Sequence, residues 1–140
     1  MREILFRGKR IDNGEWVYGS LVTVGVCTII PRDAEQWDST EYNMAFAVIP
    51  GTVGQYTAMR DRNGELIFEG DVIQCMDARG FICFGAYASA YSSGKTHVGF
   101  YIEWIVDRML RIDVGFWADK REVEVIGNIH DNPELLEVAK

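Results

Sequence analysis

One short run of residues has the composition of a phosphate-binding loop, in which backbone amides and a lysine hold nucleotide phosphates. Residues 93–96 read Ser-Gly-Lys-Thr, but the position that requires the first glycine of such a loop is Ser89. Residues 97–104 alternate as in a strand, where a phosphate-binding loop needs the N-terminus of a helix. We therefore interpret residues 85–96 as a flexible loop rich in Ala, Ser, Gly and Tyr, and we expect no nucleotide affinity.

The imidazoles and thiols lack the spacing of a metal site or a disulfide framework. His97 and His130 are far apart in sequence, with no His-x-x-x-His or Glu-x-x-His pattern nearby. The three cysteines have apolar neighbours and no Cys-x-x-Cys spacing, so we predict free, buried or half-buried thiols at Cys27, Cys75 and Cys83. A Cys–His nucleophile pair stays open, because such partners meet in space and not in sequence.

Three carboxylates in the middle of the chain have residue types suited to acid–base work. Glu69 and Asp71 flank Gly70, and Asp61 lies just before a predicted turn. Turn chemistry accounts for Asp61, and a bend or bulge at Gly70 accounts for its two neighbours. We therefore expect no catalytic residue, no metal ion and no cofactor.

The charge balance disfavours partners that carry a phosphate backbone. The 14 basic and 21 acidic side chains give a net charge of −7, a field that repels phosphates at long range. The local exception is a candidate basic strip near the N-terminus, formed by Arg2, Arg7, Lys9 and Arg10. We interpret this strip as a solvated strand face in preference to a phosphate-binding surface.

The overall composition is that of a folded globular chain, with 48% hydrophobic and 25% charged residues. The N-terminal residues lack the apolar core of a signal peptide, and no run approaches the roughly 18 apolar residues of a membrane span. We expect a cytoplasmic protein with no membrane partner.

The elements that must position these residues are predicted to be short antiparallel strands. Asn13-Gly14 and Asn63-Gly64 each precede apolar residues, which predicts two hairpins with type I′ turns and raises the question of an internal repeat. Period-two alternation predicts further strands, including residues 100–106, 110–116 and 122–126, with a turn at 77–80. The sequence therefore predicts an all-β protein, a small barrel or sandwich.

Two features of the chain predict its organisation at larger scale. Pro50-Gly51 ends an apolar run, which favours an N-terminal β subdomain over residues 1–50 and a second subdomain over 51–140, or one compact unit. Asn132, Pro133 and Glu134 suit the start of a helix, so a short C-terminal helix is predicted over residues 133–138.

Three segments together resemble the YopX family of phage and prophage proteins. They are residues 54–73 (GQYTAMRDRNGELIFEGDVI), the opening at 4–10 (ILFRGKR) with 14–21 (GEWVYGSL), and the close at 124–136 (EVIGNIHDNPELL). The resemblance runs from end to end, except over residues 76–97. It implies a phage- or prophage-encoded protein of a bacterial host cell with an SH3-like barrel in its C-terminal part. It implies no reaction and assigns no site residue.

Three functional hypotheses follow from the sequence. The first is a non-enzymatic protein-binding module that engages a host or phage protein through aromatic side chains, with candidates Tyr56, Tyr87, Tyr91 and Tyr101. The second is a nucleic-acid-binding protein of phage replication or regulation that uses the basic strip, and the third is a small hydrolase with an unrecognised site. We also expect a homo-oligomer, because residues 100–116 carry apolar side chains on both strand faces.

Overall fold

A computed structural model describes residues 3–31, 45–88, 95–106, 114–119 and 122–137 of the chain. The chain divides into two compact units, Met1–Tyr56 and Thr57–Lys140, which are described in turn. Both units are built from antiparallel strands, so the predicted all-β class is confirmed. Within the described ranges, no helix is long and apolar enough to cross a membrane.

The first unit is a sheet in which a hairpin at the N-terminus lies beside a second pair of strands. Its strand order is β4-β3-β2-β1, and the first residues of β5 pair with the other side of β1. The strands are β1 (Phe6–Lys9), β2 (Trp16–Val24), β3 (Val26–Pro31), β4 (Phe46–Ala47) and β5 (Gly54–Arg60). Alternate residues turn one face inward, and the core consists of Val17, Ile29, Phe46 and Val48.

The second unit contains the end of β5, the adjacent β6 (Leu66–Phe68) and a four-stranded antiparallel sheet. The order of this sheet is β10-β7-β8-β9. Its strands are β7 (Asp71–Cys75), β8 (Ala78–Ala88), β9 (Thr96–Val106) and β10 (Val123–Asn128). Ile73, Ile82 and Ile102 are buried at its centre, and Trp117 of the helix α1 (Val114–Asp119) packs edge-on against Trp104, 5.5 Å between ring centroids.

Both predicted hairpins form, but their turns are not type I′. That turn requires positive φ at both central residues, whereas the described non-glycine residues with positive φ are Ala58 and Met76 alone. Gly64 has φ +82° and its N–H bonds Asp61 O, which describes a type I turn followed by a left-handed glycine. The first loop, residues 11–14, is one residue longer, closes between Arg10 and Glu15, and also ends on a left-handed glycine.

Three other predictions of local structure are wrong. Residues 114–116 begin α1 and are not a strand, since the buried Val114, Trp117 and Ala118 have the i, i+3, i+4 spacing of a helix. The predicted turn at 77–80 lies at Met76 and Asp77, because Cys75 already pairs with Ala78. Residues 85–88 and 96 of the predicted loop belong to β8, which continues to Ala88, and to β9, which begins at Thr96, whereas 89–94 lie outside the described residues. The predicted short C-terminal helix is present as a 3-10 helix over Pro133–Leu136.

The described pairing of the second unit leaves β9 and β10 as the end strands of an open sheet. An SH3-like barrel therefore stays a prediction, and the observed architecture is the two antiparallel sheets themselves.

Candidate functional site

The outer part of the β8–β9 hairpin carries two exposed apolar side chains of the second unit, Phe84 and Val98. We call this part, Cys83–Ala88 with Thr96–Tyr101, the aromatic arm. Its two strands pair in regular antiparallel register, with Phe84 opposite Phe100 and Tyr87 opposite His97. The strands form a hairpin here because alternate residues at 96–102 are apolar or aromatic, and β8 supplies an equally apolar partner.

One face of the aromatic arm is a ladder of apolar pairs that leads from the core to the surface. Ile82 and Ile102 form a buried pair, and the next pair on that face is Phe84 with Phe100. The rings of this second pair meet edge to face, 4.9 Å between centroids, and Phe84 is 53% exposed. The following residue of β9 on that face, Val98, is 73% exposed. The apolar ladder thus continues beyond the part of the sheet that the core covers.

The opposite face of the aromatic arm carries a cluster of polar aromatic side chains. The Tyr87 ring lies 5.0 Å from that of Tyr101 and 5.8 Å from that of His97, centroid to centroid. Between the cross-strand pairs Cys83–Tyr101 and Tyr87–His97, the residues on this face are Gly85 and Gly99, which lie opposite each other and have no side chain. Tyrosine and histidine rings present an apolar body with a polar tip, so this face can make both apolar and hydrogen-bonding contacts.

The aromatic arm contains two of the four tyrosines predicted to line a partner surface. Tyr87 and Tyr101 are brought together, and Tyr91 lies outside the described residues. The prediction for Tyr56 is corrected, because this side chain is 5% exposed and its backbone N–H pairs with Leu5 O inside the first unit. Phe84 is not among the residues predicted for this surface, because the Gly- and Ala-rich residues from Gly85 onward favour a loop.

The candidate basic strip is engaged with aromatic rings of its own unit. The Arg7 guanidinium lies 4.7 Å from the centroid of the Trp16 ring, and Lys9 Nζ lies 5.8 Å from the same ring. Arg7 is also buried, at 6% exposed. Arg2 lies outside the described residues. Among the described members of the strip, Arg7 and Lys9 therefore make cation–π contacts with Trp16.

Arg10, the last member of the strip, is held by a neighbouring carboxylate and a ring. Its guanidinium carbon lies 4.0 Å from the centroid of the Phe46 ring, and its Nε donates a hydrogen bond to Asp12 Oδ1 at 2.9 Å. That hydrogen bond lowers the pKa of the Asp12 carboxyl below its ordinary value. Phosphate binding through Arg10 would have to compete with Asp12.

The turn carboxylate Asp61 has the structural role that the sequence predicts. Its Oδ1 accepts hydrogen bonds from the backbone N–H groups of Asn63, at 2.8 Å, and Glu65, at 2.9 Å. Its Oδ2 accepts a third from Val125, and the Arg62 N–H bonds Val123 O, so the turn is joined to β10. Asp61 thus stabilises the hairpin turn and connects it with a strand far away in sequence.

The second carboxylate, Asp71, is buried inside the same unit. It is 2% exposed, and its Oδ2 accepts a hydrogen bond from the Phe68 N–H at 2.8 Å. Gly70, which lies between Phe68 and Asp71, has φ +92°, a conformation that favours glycine. The predicted bend at this position is therefore confirmed. Both features describe a tight connection between β6 and β7.

The closing motif of residues 127–132 folds on itself. Asn128 Oδ1 accepts hydrogen bonds from the N–H groups of His130 and Asp131, and Asn132 Oδ1 accepts one from the Asn128 N–H. A Cβ at Gly127 would lie 2.5 Å from Asn132 Oδ1, so this position leaves no room for a side chain. Asn132 makes no side-chain cap of the 3-10 turn, contrary to its predicted role.

The thiols are free, as predicted. Burial, with a smaller contribution from the charge of Glu122, raises the pKa of the Cys75 thiol and keeps it protonated at neutral pH. Cys83 is half-buried and lies opposite Tyr101 in the aromatic arm. Within the described ranges, no three His, Cys, Asp or Glu side chains converge as metal ligands would.

The fold and the aromatic arm together define a small, mostly β protein in which one hairpin carries a partly exposed aromatic surface. A family model described as YopX protein matches residues 5–137, and the chain therefore belongs to the YopX family. A crystal structure of protein EF1440 from Enterococcus faecalis is similar to the chain, with 23% sequence identity and a TM-score of 0.53. That likeness covers 98% of this chain and 100% of the other, and it supports the fold alone. No curated protein matches the chain.

Proposed function

We propose that the protein is a non-enzymatic binding module of a phage or prophage, and that the aromatic arm is the surface with which it engages a protein partner in the host cytoplasm. The observation that carries this proposal is the exposure of Phe84 and Val98 on one continuous apolar face. A contiguous apolar patch on a soluble protein is typical of an interaction site.

The composition of the aromatic arm suits a protein partner better than a nucleic acid. Aromatic residues are enriched at the centre of protein interfaces, where they bury a large area for few rotatable bonds. The net charge of −7 opposes the approach of a phosphate backbone. The cations of the first unit, which the nucleic-acid hypothesis requires, already contact Trp16 and Phe46.

A comparison of capture experiments tests this proposal. The wild type and a Phe84→Ser variant are used to capture proteins from infected and uninfected host lysates, each with and without nuclease treatment. The control variant is Val24→Ser, which removes an apolar side chain of the first unit that is even more exposed than Phe84, at 86%. We expect a captured protein that survives nuclease and is lost only with Phe84→Ser. Capture that nuclease abolishes, or that Phe84→Ser leaves unchanged, would contradict the proposal.

A further inference from the structure

The outer edge of the aromatic arm is a strand with the properties of a pairing template. β9 is the end strand of its sheet in the described part of the chain, and it is eleven residues long. Natural edge strands are kept from pairing by Lys, Pro, bulges or short length. β9 contains no Lys, Arg or Pro, and its single irregularity lies at the inner end, beyond Trp104.

We propose that β9 pairs antiparallel with β9 of a second copy of this chain, in the register centred on Phe100. This inference rests on the proposed use of the aromatic arm as a protein-binding surface, and it names one occupant of its edge. The pairing would join two four-stranded sheets across a two-fold axis. The strand order would become β10-β7-β8-β9 followed by the same strands of the second copy in reverse.

The sequence of β9 is complementary to itself in this register. With Phe100 opposite Phe100 of the second copy, residue i lies opposite residue 200 − i by arithmetic, so His97 lies opposite Glu103. These are the only imidazole and the only carboxylate of β9, and the two-fold axis pairs them twice. An imidazole opposite a carboxylate is a favourable cross-strand pair that can form a hydrogen bond.

The remaining pairs of this register also fit. Val98 lies opposite Ile102, and Gly99 lies opposite Tyr101, where the missing side chain leaves room for the ring. Moving the centre by one residue to Tyr101 sets Glu103 opposite Gly99 and His97 opposite Ile105, which removes the charge pairing. The rival centre at Gly99 sets Glu103 opposite Lys95, a residue outside β9. The centre at Phe100 is therefore the register in which β9 itself supplies every partner.

A charge-swap experiment tests the partner and the register together. His97→Glu places Glu opposite Glu, and Glu103→His places His opposite His, so each variant alone should dimerise on the order of tenfold more weakly than the wild type. An equimolar mixture of the two variants restores both Glu–His pairs and should recover a heterodimer. Sedimentation equilibrium and mass measurement at micromolar concentration provide the dissociation constants. Lys95→Ala is the control that affects only the rival register.

The outcomes separate this inference from the proposed function. A wild-type monomer at 100 times the working concentration, or a mixture that does not recover association, overturns the pairing of β9. A dimer weakened by Lys95→Ala and not by His97→Glu overturns the register. The capture experiment with Phe84→Ser is independent of these results, because Phe84 lies on β8 and not on the pairing edge. Far-ultraviolet circular dichroism of each variant shows that the sheet is retained in the chains compared.

Discussion

Asp61 and Val125 are joined by a hydrogen bond from the backbone N–H of Val125 to Asp61 Oδ2, 2.9 Å long, across 64 positions of sequence. The same carboxylate closes the turn between β5 and β6, so one side chain stabilises both a local hairpin and its contact with β10. A buried carboxylate that accepts three backbone N–H groups leaves all three donors unsatisfied when it is removed.

Asp61→Ala should therefore lower the free energy of unfolding by about 2–4 kcal/mol. The free energy of unfolding of Asp61→Asn should lie between those of Asp61→Ala and the wild type. An amide offers only one acceptor oxygen, and its NH₂ group faces one of the backbone donors. Urea unfolding measures both. Glu15→Gln, an exposed change beside the other hairpin turn, is the control. An Asp61→Ala variant as stable as Glu15→Gln would show that the three hydrogen bonds contribute nothing net.

Gly64→Val and Gly14→Val should each lower the free energy of unfolding by about 1–3 kcal/mol. Both glycines have positive φ, +82° and +72°, and a Cβ at either would meet no atom within 4 Å, so the cost is conformational and not steric. Asn at each position should cost less than Val, because Asn adopts the left-handed region more readily. Denaturant midpoints decide this, and equal midpoints for Asn and Val would point to a cause other than backbone strain.

Much of the fold was predictable from the sequence because its signals are local. The glycines after Asn13 and Asn63 mark the two hairpins, and the alternation over residues 100–106 marks β9. The helix α1 is not predicted, because Val114 and Phe116 also fit the period of two that indicates a strand. The feature that distinguishes the helix is the packing of Trp117 against Trp104, which is a tertiary contact. Local composition does not report such a contact.

The candidate site was predictable only in part. The tyrosines Tyr87 and Tyr101 were named from their residue type, but their proximity depends on the register of β8 with β9, which no turn signal in the sequence fixes. Tyr56 has the same residue type and is buried, at a position where its backbone N–H bonds Leu5 O. Residue type alone therefore separates neither exposed from buried aromatics nor one strand face from the other.

Ala58→Gly should raise the free energy of unfolding by about 0.5–1 kcal/mol. Ala58 has φ +71°, a conformation that costs any residue with a Cβ, and the Thr57 side chain holds it there by accepting from Met59 N–H and donating to Ile67 O. Ala86→Gly is the matched control on a regular strand, where glycine should lower stability. In thermal unfolding, the melting temperature should rise for Ala58→Gly and fall for Ala86→Gly. Shifts of the same sign would contradict the explanation by backbone strain at Ala58.

Gly127→Ala should lower the free energy of unfolding by about 1–3 kcal/mol, because its methyl group would overlap Asn132 Oδ1 and lie 2.9 Å from Leu135 Cδ1. Relieving that overlap moves the 3-10 turn away from β10 and breaks the hydrogen bond from Asn128 N–H. Gly51→Ala is the control, since a Cβ there meets nothing within 4 Å. Amide hydrogen exchange should show faster exchange at Asn128 in Gly127→Ala only; unchanged protection there would contradict this account of the closing motif.

Cys75 should make the stability of the protein fall at alkaline pH. Burial raises the pKa of its thiol in the folded state above the ordinary value of 9.0 that applies when the chain is unfolded. Below pH 9 the thiol is protonated in both the folded and the unfolded state, so its contribution to the free energy of unfolding is fully present. As the pH rises past 9 the unfolded state loses its proton first, so the free energy of unfolding decreases, by up to about 1.4 kcal/mol per pH unit for this group.

Urea unfolding under reducing conditions between pH 8 and pH 10.5 measures this slope, and two cysteine variants isolate the contribution of Cys75. Cys75→Ala should be less stable than the wild type at pH 8, because it leaves a small cavity, yet its stability should decline less steeply above pH 9. Cys83→Ala removes a half-buried thiol from the aromatic arm instead, so comparing the two variants shows whether a change of slope is specific to Cys75. Parallel curves for Cys75→Ala and the wild type would assign the alkaline loss to other groups, and the buried thiol would then carry no pH dependence of its own.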